Sequence, residues 1–182
     1  MRRGLAVLVL CLATGLPARG VAQETPEEPA DYRTDLYRAP VPATLRGARV
    51  VDVELAEKLW RERSATFIDV LPRPVKPANL PASIVWREPP HRSIPDAAWL
   101  ANLGYGVVPE ALQHRFQARL ETLTGRDRTR LLVFFCQRQC WMSWNAAKRA
   151  ISWGYQNVAW FPEGTDGWSD ALLPLADVAP EP

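Results

Sequence analysis

Five consecutive apolar residues, Leu131-Leu132-Val133-Phe134-Phe135, run without polar interruption straight into Cys136. A strand without in–out alternation belongs at the centre of a sheet that is covered on both faces. The surrounding sequence supplies the covers. Residues 110–123 place Leu112, Phe116, Leu120 and Leu123 on one helical stripe, and Gly125 with a polar turn ends it. After Cys136 a second helix runs through Ala150 and Trp153 to Gly154, a left-handed cap. Asn157-Val158-Ala159-Trp160-Phe161 then reads as the last strand.

Upstream, Val50 and Val51 start a short strand, and Asp52 caps a helix to about Arg63 with Val53, Ala56 and Trp60 at helical spacing. Thr66-Phe67-Ile68-Asp69-Val70 is a further strand, stopped by Pro72 and Pro74. Proline density makes residues 72–95 an extended loop, with a short strand expected at 83–86. Strands alternating with helices imply an α/β fold with a largely parallel central sheet and helices on both faces.

The chain has 182 residues, which suits one domain, and 47% hydrophobic with 23% charged residues describes a globular protein with a core. A formal charge of +2 argues against a nucleic-acid binder, which needs a basic patch. No segment reaches the roughly 18 apolar residues of a membrane span. Residues 1–22 read as a secretory signal peptide: Arg2 and Arg3, an apolar stretch from Leu5 to Leu16, then Gly20-Val21-Ala22. Its loss removes three arginines and Cys11, so the slight positive balance turns slightly negative and only Cys136 and Cys140 remain, in a periplasmic or secreted, oxidising setting. Residues 23–44 are expected to be a flexible acidic and proline-bearing leader, 45–173 the folded domain, and 174–182 a loose C-terminal tail.

The chemistry concentrates in Cys136-Gln137-Arg138-Gln139-Cys140-Trp141. A buried strand ends at Cys136 and a helix starts four or five residues later; in open α/β sheets active sites collect at this carboxyl edge. Loop amides at Gln137, Arg138, Gln139 and Trp141, with the helix N-terminus, are placed to bind an anion, and Arg138 is expected to help lower the Cys136 pKa. Two bland alternatives stand beside this: an inert buried Cys136, and a purely structural Cys136–Cys140 disulfide.

The stretch from Leu132 to Trp168 resembles the carboxyl half of a rhodanese-like domain: strand, loop cysteine, a helix with Ala146-Ala147, Gly154-Tyr155-Gln156-Asn157-Val158, and a Gly-x-x-Gly-Trp turn. Phe67-Ile68-Asp69-Val70 resembles that family's Asp-bearing strand, and Ser93-Ile94-Pro95-Asp96-Ala97 its His-Ile-Pro-Gly-Ala segment. Cys140-Trp141-Met142-Ser143-Trp144-Asn145 resembles, more narrowly, a secreted rhodanese-like family named for a Cys-x-x-Cys-Trp motif and associated with catabolism dependent on pyrroloquinoline quinone (PQQ). The resemblance implies an accessory role beside PQQ-dependent alcohol oxidation, with a periplasmic redox protein or PQQ-dependent dehydrogenase as partner. Here three residues separate the cysteines, and Gln139 stands where an ordinary rhodanese loop has Gly. Met142 replaces the Arg with which related phosphatases end their loop, which argues against phosphatase chemistry.

Asp69 either orients loop groups or caps a local turn. Trp144 reads as core, and Trp141 as a shield or docking face for the dithiol. His91 falls in the proline-rich loop and His114 on a solvated helix face. Two histidines and two cysteines are too few to suggest a zinc site, and Trp141 occupies the position a covalent haem signature requires to be His, so no metal or cofactor is assigned. Two functions follow. One is thiol–disulfide redox or sulfur transfer, with Cys136 as nucleophile and Cys140 as resolving thiol. The other is a non-catalytic binding module whose disulfide only fixes an aromatic loop that binds a partner or redox cofactor.

Overall fold

The structure, a computed structural model, describes residues 25–181; the expected signal at 1–22, with Cys11, lies outside them. In chain order the elements are β1 (Ala48–Val50), α1 (Val53–Arg61), β2 (Thr66–Asp69), β3 (His91–Ser93), β4 (Ala98–Trp99), α2 (Glu110–Thr124), β5 (Leu132–Phe135), α3 (Trp141–Ser152), β6 (Val158–Phe161), α4 (Gly164–Asp170) and β7 (Ala176–Val178). The main sheet has the order β1-β6-β5-β2-β4 with every pair parallel, which puts the apolar run of β5 at its centre.

Register decides what each face buries. Ile68 pairs with Phe134 and Phe134 with Trp160, and these side chains pack with Phe116 and Leu120 of α2 and Trp144, Ala147 and Ala150 of α3. The alternate set, Phe67, Val133, Phe135 and Phe161, packs with Ala56 and Leu59 of α1 and Trp168 of α4. Helices therefore cover both faces, as the unalternating strand required. Local signals set the helix ends: Asp52 accepts the Leu55 amide at 2.9 Å, and Gly125 and Gly154 follow α2 and α3 with φ of 62° and 89°.

Three expectations are corrected. Residues 83–86 form no strand; Val85 is 80% exposed, with no neighbouring strand to complete a ladder. Pairing falls instead on His91–Ser93, antiparallel to Ala176–Val178, so the expected loose tail is a strand, and the Glu181 amide donates to the Trp99 carbonyl at 2.9 Å. The expected flexible leader, over its described residues, is a strap lying on α3. Lys148 Nζ donates to the carbonyls of Pro29 and Ala30 at 2.9 and 2.6 Å, and Asn145 exchanges two hydrogen bonds with the Arg33 backbone at 2.9 and 2.8 Å. Among the described residues no helix is long and apolar enough to cross a membrane.

Gly164 joins the fold to the cysteine loop. It has φ +54°, and a Cβ there would sit 2.3 Å from the Cys136 carbonyl oxygen, against which the Gln137–Gly164 bridge is built. Gly164→Ala is expected to destabilise the protein by about 2 kcal/mol or more, since strain and clash add. A chemical-denaturation midpoint equal to that of the wild type would contradict this.

Candidate thiol site

Cys136 follows the last residue of β5, and its carbonyl accepts the Thr165 amide at 2.9 Å and the Thr165 hydroxyl at 3.2 Å. The loop turns back through Gln139, whose φ of 54° is the left-handed conformation for which a Gly is the easy choice. Cys140 is then the N-cap of α3. The strap closes over it: Arg38 and Cys140 form an antiparallel bridge, with the Ala39 amide donating to the Gln139 carbonyl at 3.1 Å and the Trp141 amide to the Tyr37 carbonyl at 2.9 Å.

Both cysteines are free thiols, 0% and 2% exposed. Cys136 Sγ lies 3.2 Å from Ser143 Oγ and 3.4 Å from the Cys140 carbonyl oxygen. Its burial holds the thiol neutral, well above the ordinary range, and the neighbouring Cys140 adds to this. Cys140 moves the other way, lowered to about 7. The first cause is a hydrogen bond from the Cys136 thiol; burial opposes it, and the Met142 and Gln137 amides and the Arg38 charge add to it. Cys140 occupies the N-cap position without making a side-chain cap hydrogen bond. The first turn of α3 thus serves both sulfurs, the Met142 amide facing Cys140 and the Ser143 amide facing Cys136, where burial outweighs it.

The other predicted site residues divide. Gln137 accepts from Arg38 Nη1 at 2.7 Å and sits at the loop rim. Arg138 turns away from the thiols: its amide donates to Asp166 at 3.1 Å and its guanidinium pairs with Asp170 at 2.7 Å. It therefore does not supply the charge expected of it, and with the Arg138 and Trp141 amides engaged the loop is a smaller anion cradle than expected. Trp141 is 3% exposed beneath the strap, with Nε1 donating to the Pro40 carbonyl at 3.0 Å, so it is no docking face. Trp144 is core, as expected.

Asp69 does not reach the loop. It pairs in register with Phe135, which puts its side chain on the sheet face opposite Cys136. There it caps the turn at the Leu71 amide (2.9 Å), accepts the Ser93 hydroxyl (2.6 Å), and meets His91 Nε2 at 2.7 Å. The His91 ring also lies on Trp99, with centroids 4.0 Å apart. His114 is solvated beside Glu110. Among the described residues no cluster of three or more His, Cys, Asp or Glu is placed to hold a metal. Surface pockets of about 660 and 550 Å³, lined by residues such as Trp60 and Phe67 or Trp86 and Tyr105, do not include the thiols.

Sequence reasoning missed Arg38, Ser143, Asn145 and Trp160. Ser143 and Asn145 stood inside the quoted motif block, whereas nothing local marked Arg38, which reaches the site only through the strap.

A central parallel strand ending in a cysteine loop at the N-terminus of a helix, in a five-stranded sheet with helices on both faces, is the α/β architecture that the rhodanese-like resemblance implied. No family model matches the chain, and no curated protein does. Among solved structures it is similar to an EanB variant in complex with ergothioneine covalently linked with a cysteine persulfide (19% identity, 79% of this chain and 34% of that one, TM-score 0.52). It is also similar to an anaerobic ergothioneine biosynthesis enzyme from Chlorobium limicola in complex with trimethyl histidine (18% identity, 78% and 34%, TM-score 0.50). A polysulfide-sulfur transferase homodimer from Wolinella succinogenes aligns over 73% of this chain and 81% of its own at 19% identity, with TM-score 0.46. The chain spans about a third of the ergothioneine proteins, and the likeness is one of fold.

Proposed function

We propose that this protein is a rhodanese-like dithiol protein working by thiol–disulfide exchange, with Cys140 as the attacking thiolate and Cys136 as the resolving thiol. The observation that carries the proposal is placement: Cys140 is the N-cap of α3, bridged to Arg38 of the strap, while Cys136 is fully buried at the end of β5, and the thiols shift accordingly, Cys140 down and Cys136 up. An attacking thiol is most effective when its pKa lies near ambient pH. Cys140 thiolate attacks a partner disulfide, forming a mixed disulfide and releasing one partner thiolate. Cys136 then attacks Cys140 Sγ, forming the Cys136–Cys140 disulfide; the partner's second sulfur leaves and takes up the proton Cys136 gives up.

Sulfur transfer on the same site is the second reading, favoured by the fold shared with a persulfide-bearing structure. Cys140 thiolate takes a sulfane sulfur from its donor, and Cys136 discharges it as hydrosulfide while the intramolecular disulfide forms. Secretion, a periplasmic location and a place beside a PQQ-dependent dehydrogenase belong to this proposal through the residues 1–22 and the Cys-Trp-Met-Ser-Trp-Asn block.

The test is adduct trapping with a small disulfide, read by intact mass at pH 7. Cys136→Ser is expected to accumulate a stable mixed disulfide on Cys140, and Cys140→Ser to react at least tenfold more slowly than the wild type. Equal reactivity of Cys140→Ser and wild type would remove Cys140 from the attacking role. Alkylation of Cys140 is expected to rise with a midpoint about pH 7, because the thiolate is the reactive form. A midpoint in the ordinary thiol range contradicts this.

A further inference from the structure

The resolving step asks a fully buried thiol to become an anion, and a buried thiolate with no donor aimed at it is strongly disfavoured. Cys136 itself has one proton, and besides the Cys140 sulfur it faces Ser143 Oγ at 3.2 Å, the Cys140 carbonyl at 3.4 Å and the Gln137 carbonyl at 3.8 Å. The two carbonyls offer an anion nothing, and the Ser143 amide is a fixed donor already aimed at the sulfur whatever its charge. The Ser143 hydroxyl is different. The residue is 1% exposed in the first turn of α3, and its Oγ receives the indole N–H of Trp160 at 3.0 Å. Indole is a donor only, so it occupies a lone pair of Oγ and leaves the single hydroxyl proton free to choose its acceptor.

The acceptors available to that proton are the Cys140 carbonyl, 3.3 Å away, and Cys136 Sγ. While Cys136 is a thiol, the Ser143 proton points at the Cys140 carbonyl and the Cys136 proton can point at Oγ. When Cys136 loses its proton, rotation about the Cβ–Oγ bond turns the hydroxyl onto the sulfur with no heavy atom moving. The serine acts on the Cys136 sulfur in the lowering direction, against burial. Trp160 is anchored on β6, where it pairs in register with Phe134, so the relay is fixed to the sheet and to the helix together.

We infer that Ser143, oriented by Trp160, is the switchable hydrogen-bond donor that stabilises the Cys136 thiolate during resolution of a mixed disulfide on Cys140. The inference rests on the dithiol reading above and names a residue that reading does not need. The step balances as already written: Cys136 loses a proton, the Cys136–Cys140 bond forms, the bond from Cys140 to the partner sulfur breaks, and the leaving sulfur takes the proton. Ser143 lends a hydrogen bond and keeps its own proton.

Rapid mixing of reduced protein with dithiodipyridine tests it, because each step releases one equivalent of thiopyridone. The wild type is expected to release two equivalents in two phases. Ser143→Ala is expected to slow the second phase relative to the first by roughly tenfold to a hundredfold at pH 7, the range expected for losing one hydrogen bond to a buried charge. Its second-phase pH profile should move to higher pH, and Ser143→Thr should restore most of both. Trp160→Phe, which keeps a ring but loses the N–H, covers the case in which Ser143→Ala fails to fold; it should shift the profile the same way by less. A second phase in Ser143→Ala or Trp160→Phe with the wild-type ratio and profile overturns the assignment of the donor. A wild type that releases only one equivalent overturns the dithiol reading itself, and the two failures are thereby separate.

Discussion

Asn145→Ala is expected to destabilise the protein by about 2–4 kcal/mol and to raise the rate of Cys140 alkylation on the order of thirtyfold. Asn145 is fully buried, and its amide makes three hydrogen bonds, two to the Arg33 backbone and one to the Gly104 carbonyl at 3.0 Å. Alanine leaves the Gly104 carbonyl without this partner and unpins the strap where it crosses α3. A buried polar group left without a partner costs about 1–3 kcal/mol. The strap-bound part of that loss lowers the free energy of local opening, and every 1.4 kcal/mol multiplies the open population about tenfold. Alkylation kinetics and a denaturation midpoint, measured on the same variant, separate the two contributions. Destabilisation without faster alkylation would mean that the strap does not shield the thiols. The Arg38–Cys140 bridge is the reason to expect otherwise.

The larger loss of stability is expected at Asp69→Ala, about 3–5 kcal/mol, or a fall in Tm of roughly 10 °C for a domain of this size. The carboxylate is fully buried and serves the Leu71 amide, the Ser93 hydroxyl and His91 together. Removing it strands all three and loosens β3, which holds β7. Asp69→Asn keeps one oxygen acceptor and is expected to lose about half as much. Calorimetry decides: a fall of less than 3 °C in Asp69→Ala would show that His91 and Ser93 are held by strand pairing alone. Because Asp69 lies on the face opposite Cys136, the reactivity of the thiols in the surviving folded protein is expected to stay within about twofold of the wild type.

The contrast between these residues explains what the sequence made legible. β5, α2 and α3 followed from local signals: an unalternating run at 131–135, a stripe through Phe116 and Leu120, and glycines just past the helix ends. β3 did not, because His-Arg-Ser carries no strand pattern; its pairing comes from a segment more than 80 positions later and from the Asp69 carboxylate. The strap failed for a similar reason. Its acidic, proline-bearing composition says that it buries few side chains, yet its backbone groups are what α3 holds. In the thiol loop the pair was visible and its polarity was not. The helix start, four or five residues past Cys136, was legible; which sulfur each first-turn amide and the Arg38 charge face was not, because that depends on the loop path and on the distant strap.

The strap has one more consequence, which concerns time. Arg33 meets Asn145 across 112 positions of chain, so the cover cannot close until α3 has been made. During synthesis, and during any stage in which the chain is unfolded, Cys136 and Cys140 stand open to whatever thiol or oxidant is present; once the strap docks they are reached only through its local opening. The chemical state of the pair in the folded protein is therefore written in part by the history of the chain before it folds. Refolding the denatured protein with and without a small disulfide present, and comparing how much of each product carries a modified thiol, reads that history directly.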